Sequence, residues 1–207
     1  NAGSLVRGHI NAIDEYTDPS VREFISTDAK PAVGYALTST WTPLSGEQSD
    51  GYLRTDYFDS IAKANVPVIV VQQDIDKPAN RGAIIGDGMA FQMKALGAVG
   101  ALVEGNARDI PGIEQAGLPL WATGRVPGHG PFNMIEHGVT VTVASLTIKP
   151  GDILVCDSDG ATRVTVDEAA DVAKMCAEVR AKEGALHKFF SVPDFTPAMW
   201  EEWKSKS

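Results

Sequence analysis

At 207 residues, the chain is long enough to bury about 70% of its unfolded surface in one domain without disulfides or a structural metal, which excludes a stapled mini-protein. With 18 Lys+Arg against 27 Asp+Glu the formal charge is −9, so the phosphate neutralisation that supplies most nucleic-acid affinity has no source, and direct nucleic-acid binding is not expected. A hydrophobic fraction of 43% and a charged fraction of 22% belong to folded proteins, and no apolar run approaches the roughly eighteen residues that span a bilayer. The opening Asn-Ala-Gly-Ser reads as a remnant or a trimmed terminus, nothing after it has the pattern of a signal peptide, and a cytoplasmic protein is expected.

In chain order, residues 18–26 are predicted to form a short helix, with Asp18 as cap, Pro19 at the first helical position and Val21, Phe24 and Ile25 on one face. Residues 32–41 are predicted as a strand, 42–51 as a loop and 57–64 as a helix. The unbroken apolar run within 67–72 predicts a strand covered on both faces. Ala83-Ile84-Ile85 is a short strand and Gly86-Asp87-Gly88 a tight turn, followed by a helix on which Met89, Met93 and Leu96 recur at core spacing. Strand character returns at 98–103, and a strand, helix, strand crossover makes its two strands parallel.

Segments 119–123, 139–148 and 153–156 are separated by Pro-Gly turns and predict antiparallel hairpins. Residues 167–186 form an amphipathic helix with Ala169, Val172, Ala173, Cys176 and Val179 on one stripe. The domain is drawn at 1–186. The remaining 187–207 is an arm carrying Phe189, Phe190, Phe195, Trp200 and Trp203, with Thr196-Pro197 starting a final helix, and it is expected to pack on the domain or on a neighbouring subunit. The architecture is mixed α/β.

Cys156 and Cys176 are expected to be buried small hydrophobes, and the four histidines form no zinc-hydrolase pattern. Three polar clusters remain: Gly86-Asp87-Gly88, the run Gly105-Asn106-Ala107-Arg108-Asp109, and the stretch from Pro150-Gly151-Asp152 to Asp157-Ser158-Asp159-Gly160. A crossover places the first two at the carboxyl ends of neighbouring parallel strands, where open α/β sheets bind ligands. There a helix start attracts an anion, Arg108 can hold a carboxylate through two hydrogen bonds, and Asp109 can offer hard oxygen to a cation such as Mg²⁺. A small 2-keto acid satisfies all three. The plainer alternatives are a structural cap at Asp87 and a solvated ion pair at Arg108-Asp109.

Two other readings fail on detail. A dinucleotide fingerprint needs a small residue where Phe91 stands, and a calcium loop starting at Asp157 needs an oxygen ligand at Ala161 and Gly at Thr162. Asp157-Ser158-Asp159-Gly160 is read as a hairpin turn.

Taken together, Gly86-Asp87-x-x-Ala90, Gly97-x-x-Gly100, Gly105-x-x-Arg108-Asp109, Pro119, Pro150-Gly151-Asp152 and Asp157-x-Asp159-Gly160 resemble the family shared by RraA ribonuclease regulators and class II 4-hydroxy-4-methyl-2-oxoglutarate aldolases. The resemblance covers roughly residues 33–166. It implies a swivelling β/β/α-type domain with a mixed sheet and added C-terminal helices, assembled as trimers or pairs of trimers.

For the site, the resemblance implies that Asp109 coordinates Mg²⁺ or Mn²⁺ and that Arg108 binds the pyruvate part of a 2-keto acid. Asp87 stands where the family holds metal-bound waters, the backbone of Gly86, Asp87, Gly88 and Met89 where the substrate carboxylate docks, and Glu201 or Glu202 is a candidate acid from a neighbouring chain. The implied activity is a pyruvate-releasing aldolase with oxaloacetate decarboxylation as a side reaction. The alternative is a non-catalytic regulator binding a ribonuclease or helicase. The chain departs from the usual family pattern with Glu104 before Gly105, Asp87 in place of a frequent Glu, and Ala144-Ser145 where a double Gly is usual.

Overall fold

The computed structural model describes residues 1–26, 30–45 and 51–206. Its elements are α1 (Ala2–Arg7), α2 (Ala12–Glu15), β1 (Arg22–Ile25), β2 (Ala32–Thr42), α3 (Gly51–Lys63), β3 (Val68–Asp74), β4 (Ala83–Ile85), α4 (Asp87–Ala95) and β5 (Ala98–Ala107). They continue with α5 (Ile110–Ala116), β6 (Leu120–Arg125), β7 (Asn133–His137), β8 (Val141–Val143), β9 (Leu146–Ile148), β10 (Ile153–Asp157), β11 (Gly160–Val164), α6 (Ala169–Phe190) and α7 (Pro197–Lys206). The chain forms two compact units, Ile10–Ala169 on one hand and Asn1–His9 with Ala170–Ser207 on the other.

In the larger unit the main sheet runs β1-β6-β5-β3-β2-β10-β11, with β4 added beside β5 and β7 beside β2. The central pairs β2/β3, β3/β5, β4/β5 and β5/β6 are parallel, whereas β1, β7, β10 and β11 join antiparallel. The mixed α/β class is therefore as the sequence predicts. Two cores explain the apolar run in β3: Val68 and Val70 pack on one face with Tyr57, Phe58, Met93 and Ile113 of the helices, while Ile69 and Val71 pack on the other with Val141, Val143, Leu146 and Ile148 of the β8-β9 hairpin. A strand whose successive side chains point to opposite faces must be apolar throughout when both faces are covered.

Several expectations are corrected. The segment at 18–26 is not a helix: Asp18 Oδ1 accepts from Ser20 N at 2.8 Å in a turn, and Arg22–Ile25 pairs with β6 as an edge strand. Burial of Val21 and Ile25 against the sheet overrides the local helix signal. The helix predicted at 57–64 begins six residues earlier, at Gly51, and residues 46–50 of the expected loop lie outside the described residues. The strand expected at 98–103 runs on to Ala107, β7 has no counterpart among the predicted strands, and 139–148 is two short strands rather than one. Cys156 is buried as expected, but Cys176 is exposed.

The smaller unit is helical. Thr196 Oγ1 accepts from Met199 N at 3.4 Å at the start of α7, the cap predicted from Thr196-Pro197. Phe189 contacts Phe190, Phe195 and Trp203, and Trp200 stacks on Trp203 with ring centroids 5.3 Å apart, so the aromatics of the arm form one cluster among themselves.

Candidate functional site

β4 and β5 end side by side, Ile85 in register with Ala107. Each strand is followed at once by a helix, and Arg108 N donates to Ile85 O at 3.0 Å, tying the two strand-to-helix turns together. Gly86 is the N-cap of α4 and Asp87 its first residue, so the expected turn at 86–88 is the helix start itself. Asp87 is not the cap: its Oδ1 accepts from Gly88 N at 2.6 Å. Asp109 is the N-cap of α5 in the left-handed conformation, φ 57° and ψ 40°.

The left-handed residue solves a geometric problem. Neighbours on an extended strand point to opposite faces, but the chain turns at Asp109 and brings its Oδ2 to 3.3 Å from Arg108 Nε. That Nε is buried and makes no hydrogen bond, and the guanidinium carbon lies 5.6 Å from the centre of the Phe132 ring. Gly86 leaves room for the pair, since a Cβ there would stand 3.2 Å from Arg108 Nε and 3.4 Å from Asp109 Oδ2. Behind it α4 and α5 meet at Gly112, where a Cβ would come within 2.6 Å of the Asp87 Cβ.

A cleft of about 230 Å³ opens over this junction, lined by Gly86, Asp87, Gly88, Met89 and Arg108 with Arg54, His129, Pro131 and Phe132. Asp109 stands beside the Gly86 wall with its side chain 40% exposed. The structure thus gathers Gly86, Asp87, Gly88, Met89, Arg108 and Asp109 into one neighbourhood. Arg54, His129 and Phe132 were not singled out from sequence. Arg54 stands four residues before Phe58, a helical spacing that the true start of α3 would have exposed.

The remaining candidates are on other elements. Glu201 is on α7 and pairs with Lys204 at 2.7 Å, and Glu202 is on the same helix. Asp152 is buried, accepts from Lys149 N and pairs with Arg163 Nη1 at 3.2 Å, a structural role. Asp157 Oδ1 accepts from Asp159 N at 2.9 Å within the predicted β10-β11 hairpin turn. Among the described residues no group of three or more His, Cys, Asp or Glu side chains is placed to hold a metal. Glu104 accepts from Ala144 N at 2.6 Å, and burial pushes its carboxyl above the ordinary range despite that bond.

A mixed sheet with two tied strand-to-helix turns, an arginine and two carboxylates at their meeting point defines an α/β domain with a candidate anion site. The chain belongs to the RraA-like family, described as Aldolase/RraA, which matches residues 10–163. An uncharacterized protein of Methanocaldococcus jannaschii is 24% identical over 120 residues, 58% of this chain and 58% of its own length. A Halalkalibacterium halodurans protein named "Putative 4-hydroxy-4-methyl-2-oxoglutarate aldolase" is 28% identical over 165 residues, 75% of this chain and 78% of its own. Streptomyces coelicolor RraAS2, described as an unusual member of the RNase ES inhibitor RraA protein family, has the same fold with a TM-score of 0.71 at 22% identity, over 90% of this chain and 88% of that one. No helix among the described residues is long and apolar enough to cross a membrane.

Proposed function

We propose that this protein is a divalent-metal-dependent lyase that cleaves a carbon–carbon bond of a 4-hydroxy-2-keto acid and releases pyruvate, with oxaloacetate decarboxylation as a side activity. The observation that carries the reading is the pairing of Arg108 with Asp109 beside the start of α4. The aldolase name of the Halalkalibacterium relative supports it.

The donor set suits a hard cation. Mg²⁺ keeps most of its waters and needs only one or two protein carboxylates, and Asp109 supplies one without a larger ligand cluster, leaving Asp87 at the start of α4 to hold water. Bound there, Mg²⁺ or Mn²⁺ would polarise the C2 keto oxygen and stabilise the negative charge that gathers as the C3–C4 bond breaks. Arg108 holds the substrate carboxylate with two parallel hydrogen bonds, backed by the N–H groups at the start of α4. Asp87, reaching through a water, steers the proton taken from the C4 hydroxyl and returned to C3 of the departing pyruvate. Phe132 covers the guanidinium and keeps water from one side of it.

The test is pyruvate release from oxaloacetate and from 4-hydroxy-4-methyl-2-oxoglutarate, with Mg²⁺ or Mn²⁺ and with chelator. Metal-dependent release that is lost in Asp109→Asn and Arg108→Ala is expected. A wild-type protein that releases no pyruvate and binds neither metal overturns the lyase reading and favours the alternative, a non-catalytic regulator acting on a ribonuclease or helicase through its surface. Assembly as a trimer or a pair of trimers belongs to the same proposal and is read by light scattering.

A further inference from the structure

The cleft holds a second guanidinium that the proposed chemistry does not use. Arg54 reaches it from α3 and lies over the ring of Phe58, 5.8 Å from the centroid. Phe58 is buried at 4% exposure, so this platform is fixed. The acids nearest to Arg54 on its own helix are engaged elsewhere: Asp56 Oδ2 lies 3.0 Å from His137 Nε2, and Asp59 Oδ2 lies 3.1 Å from Lys63 Nζ. Among the described residues no carboxylate forms an ion pair with Arg54.

A guanidinium stays charged at every physiological pH, and two of them facing one small cleft repel unless anionic charge lies between them. Arg108 has Asp109 within 3.3 Å, whereas among the described residues Arg54 has no such ion pair. The carboxylates at the cleft, Asp87 and Asp109, belong to the Arg108 end, where Asp87 accepts from Gly88 N and Asp109 pairs with Arg108, so a guanidinium that lines the cleft without an ion pair among the described residues is placed to receive an anionic group of a ligand. The cleft, at about 230 Å³, is also larger than a three-carbon acid fills. His129, packed edge-on against Phe132 at 4.9 Å, lines the same cleft and adds a ring nitrogen able to hydrogen-bond an oxygen.

We infer that Arg54 is the specificity-determining residue for a second carboxylate, so that the cleft takes dianionic 2-keto acids in preference to monoanionic ones. This rests on the proposed reading of the same cleft, in which Arg108 and the start of α4 hold the first carboxylate. Arg54 touches the far end of the ligand and takes no part in bond breaking.

The experiment is calorimetric titration of the full-length protein, with Mg²⁺ present, using 2-oxoglutarate as a dianion that is not cleaved and pyruvate as a monoanion. Arg54→Met keeps an unbranched stem over Phe58 and a good helix former on α3. It is expected to weaken 2-oxoglutarate about ten- to a hundredfold, the worth of a charge-assisted hydrogen-bonded pair, and to leave pyruvate within about twofold. Arg54→Lys should recover part of the loss, and Arg108→Ala should weaken both acids. Equal weakening of both acids by Arg54→Met, or of neither, overturns the inference, as does a wild type that binds neither. If 2-oxoglutarate binding depends on Arg54 but no 2-keto acid is cleaved, the lyase reading falls and the anion assignment stands. If pyruvate is released with unchanged KM for oxaloacetate in Arg54→Met, the lyase reading stands and this one falls.

Discussion

Arg108 and Asp109, consecutive in sequence, form an ion pair at 3.3 Å because Asp109 leaves strand geometry for the left-handed region at the cap of α5. On the proposed lyase reading Asp109 has two separable duties, a backbone one and a carboxylate one. Asn tolerates the left-handed region nearly as well as Asp, whereas Ala pays about 1 kcal/mol there. Asp109→Asn should fold with near-native stability and lose at least about a hundredfold of metal-dependent pyruvate release, as the loss of several kcal/mol of charge stabilisation dictates. Asp109→Ala should be equally inactive and melt about 2–4 °C lower. Thermal melts beside activity assays separate the two duties, and a fully active Asp109→Asn would remove the carboxylate from the chemistry.

Gly112 sets the distance between the two helix starts. A Cβ there meets the Asp87 Cβ at 2.6 Å and its Oδ2 at 2.8 Å, and a Cβ cannot swing away as a flexible tip can. Overpacking of this kind costs about 1–3 kcal/mol, against the roughly 1 kcal/mol that Ala gains over Gly inside a helix. Gly112→Ala should thus be destabilising or neutral with Asp87 present and stabilising in an Asp87→Gly background. Equal effects in the two backgrounds, measured by urea unfolding, would show that the helices do not touch there.

The parts that could be read from sequence were those whose signal is local. The run at Val68 to Val71, the Thr196-Pro197 cap, and the hairpin turn at Asp157 to Gly160 each follow from residue type and period, and each stands in the structure. The Gly86-Asp87 and Arg108-Asp109 turns could be paired because a crossover puts strand ends together. What stayed hidden depends on distant partners. Arg22–Ile25 is a strand because β6 pairs with it, and Arg54 enters the cleft only because α3 starts earlier than its apolar spacing marks. Phe132 sits beside Arg108 through a loop with φ 53° at that residue, which no periodicity encodes.

The β8-β9 turn carries Ala144 and Ser145 at φ 44° and 66°, both left-handed, as a two-residue hairpin turn of the primed type requires. The structure holds them with the Glu104 carboxylate on Ala144 N and a hydrogen bond between Ser145 Oγ and Asp18. Ala144→Gly relieves the left-handed cost and should raise stability by about 1 kcal/mol, or about 2–4 °C. Ser145→Gly also removes the bond to Asp18 and should gain less. Differential scanning calorimetry of the two variants decides it, and a destabilised Ala144→Gly would mean that the Ala methyl, buried at 3% exposure, outweighs the turn.

Glu104 carries a pH dependence. Burial, the largest influence, lifts its carboxyl above the ordinary value, the Ala144 N–H opposes this, and the nearby charges of Asp18 and Asp74 add to the rise. A group that binds its proton more tightly folded than unfolded contributes stability that is complete below the unfolded value and is lost as pH rises through the folded one. Glu104→Gln keeps an oxygen for Ala144 N–H and never ionises. Its stability relative to wild type should therefore rise with pH across the weakly acidic range above the ordinary Glu value and then level off. Urea unfolding of both proteins in steps from acid to neutral pH gives the difference directly. Parallel curves would mean that Glu104 titrates alike in the folded and unfolded chain, and that water reaches its carboxylate as freely as it does the unfolded one.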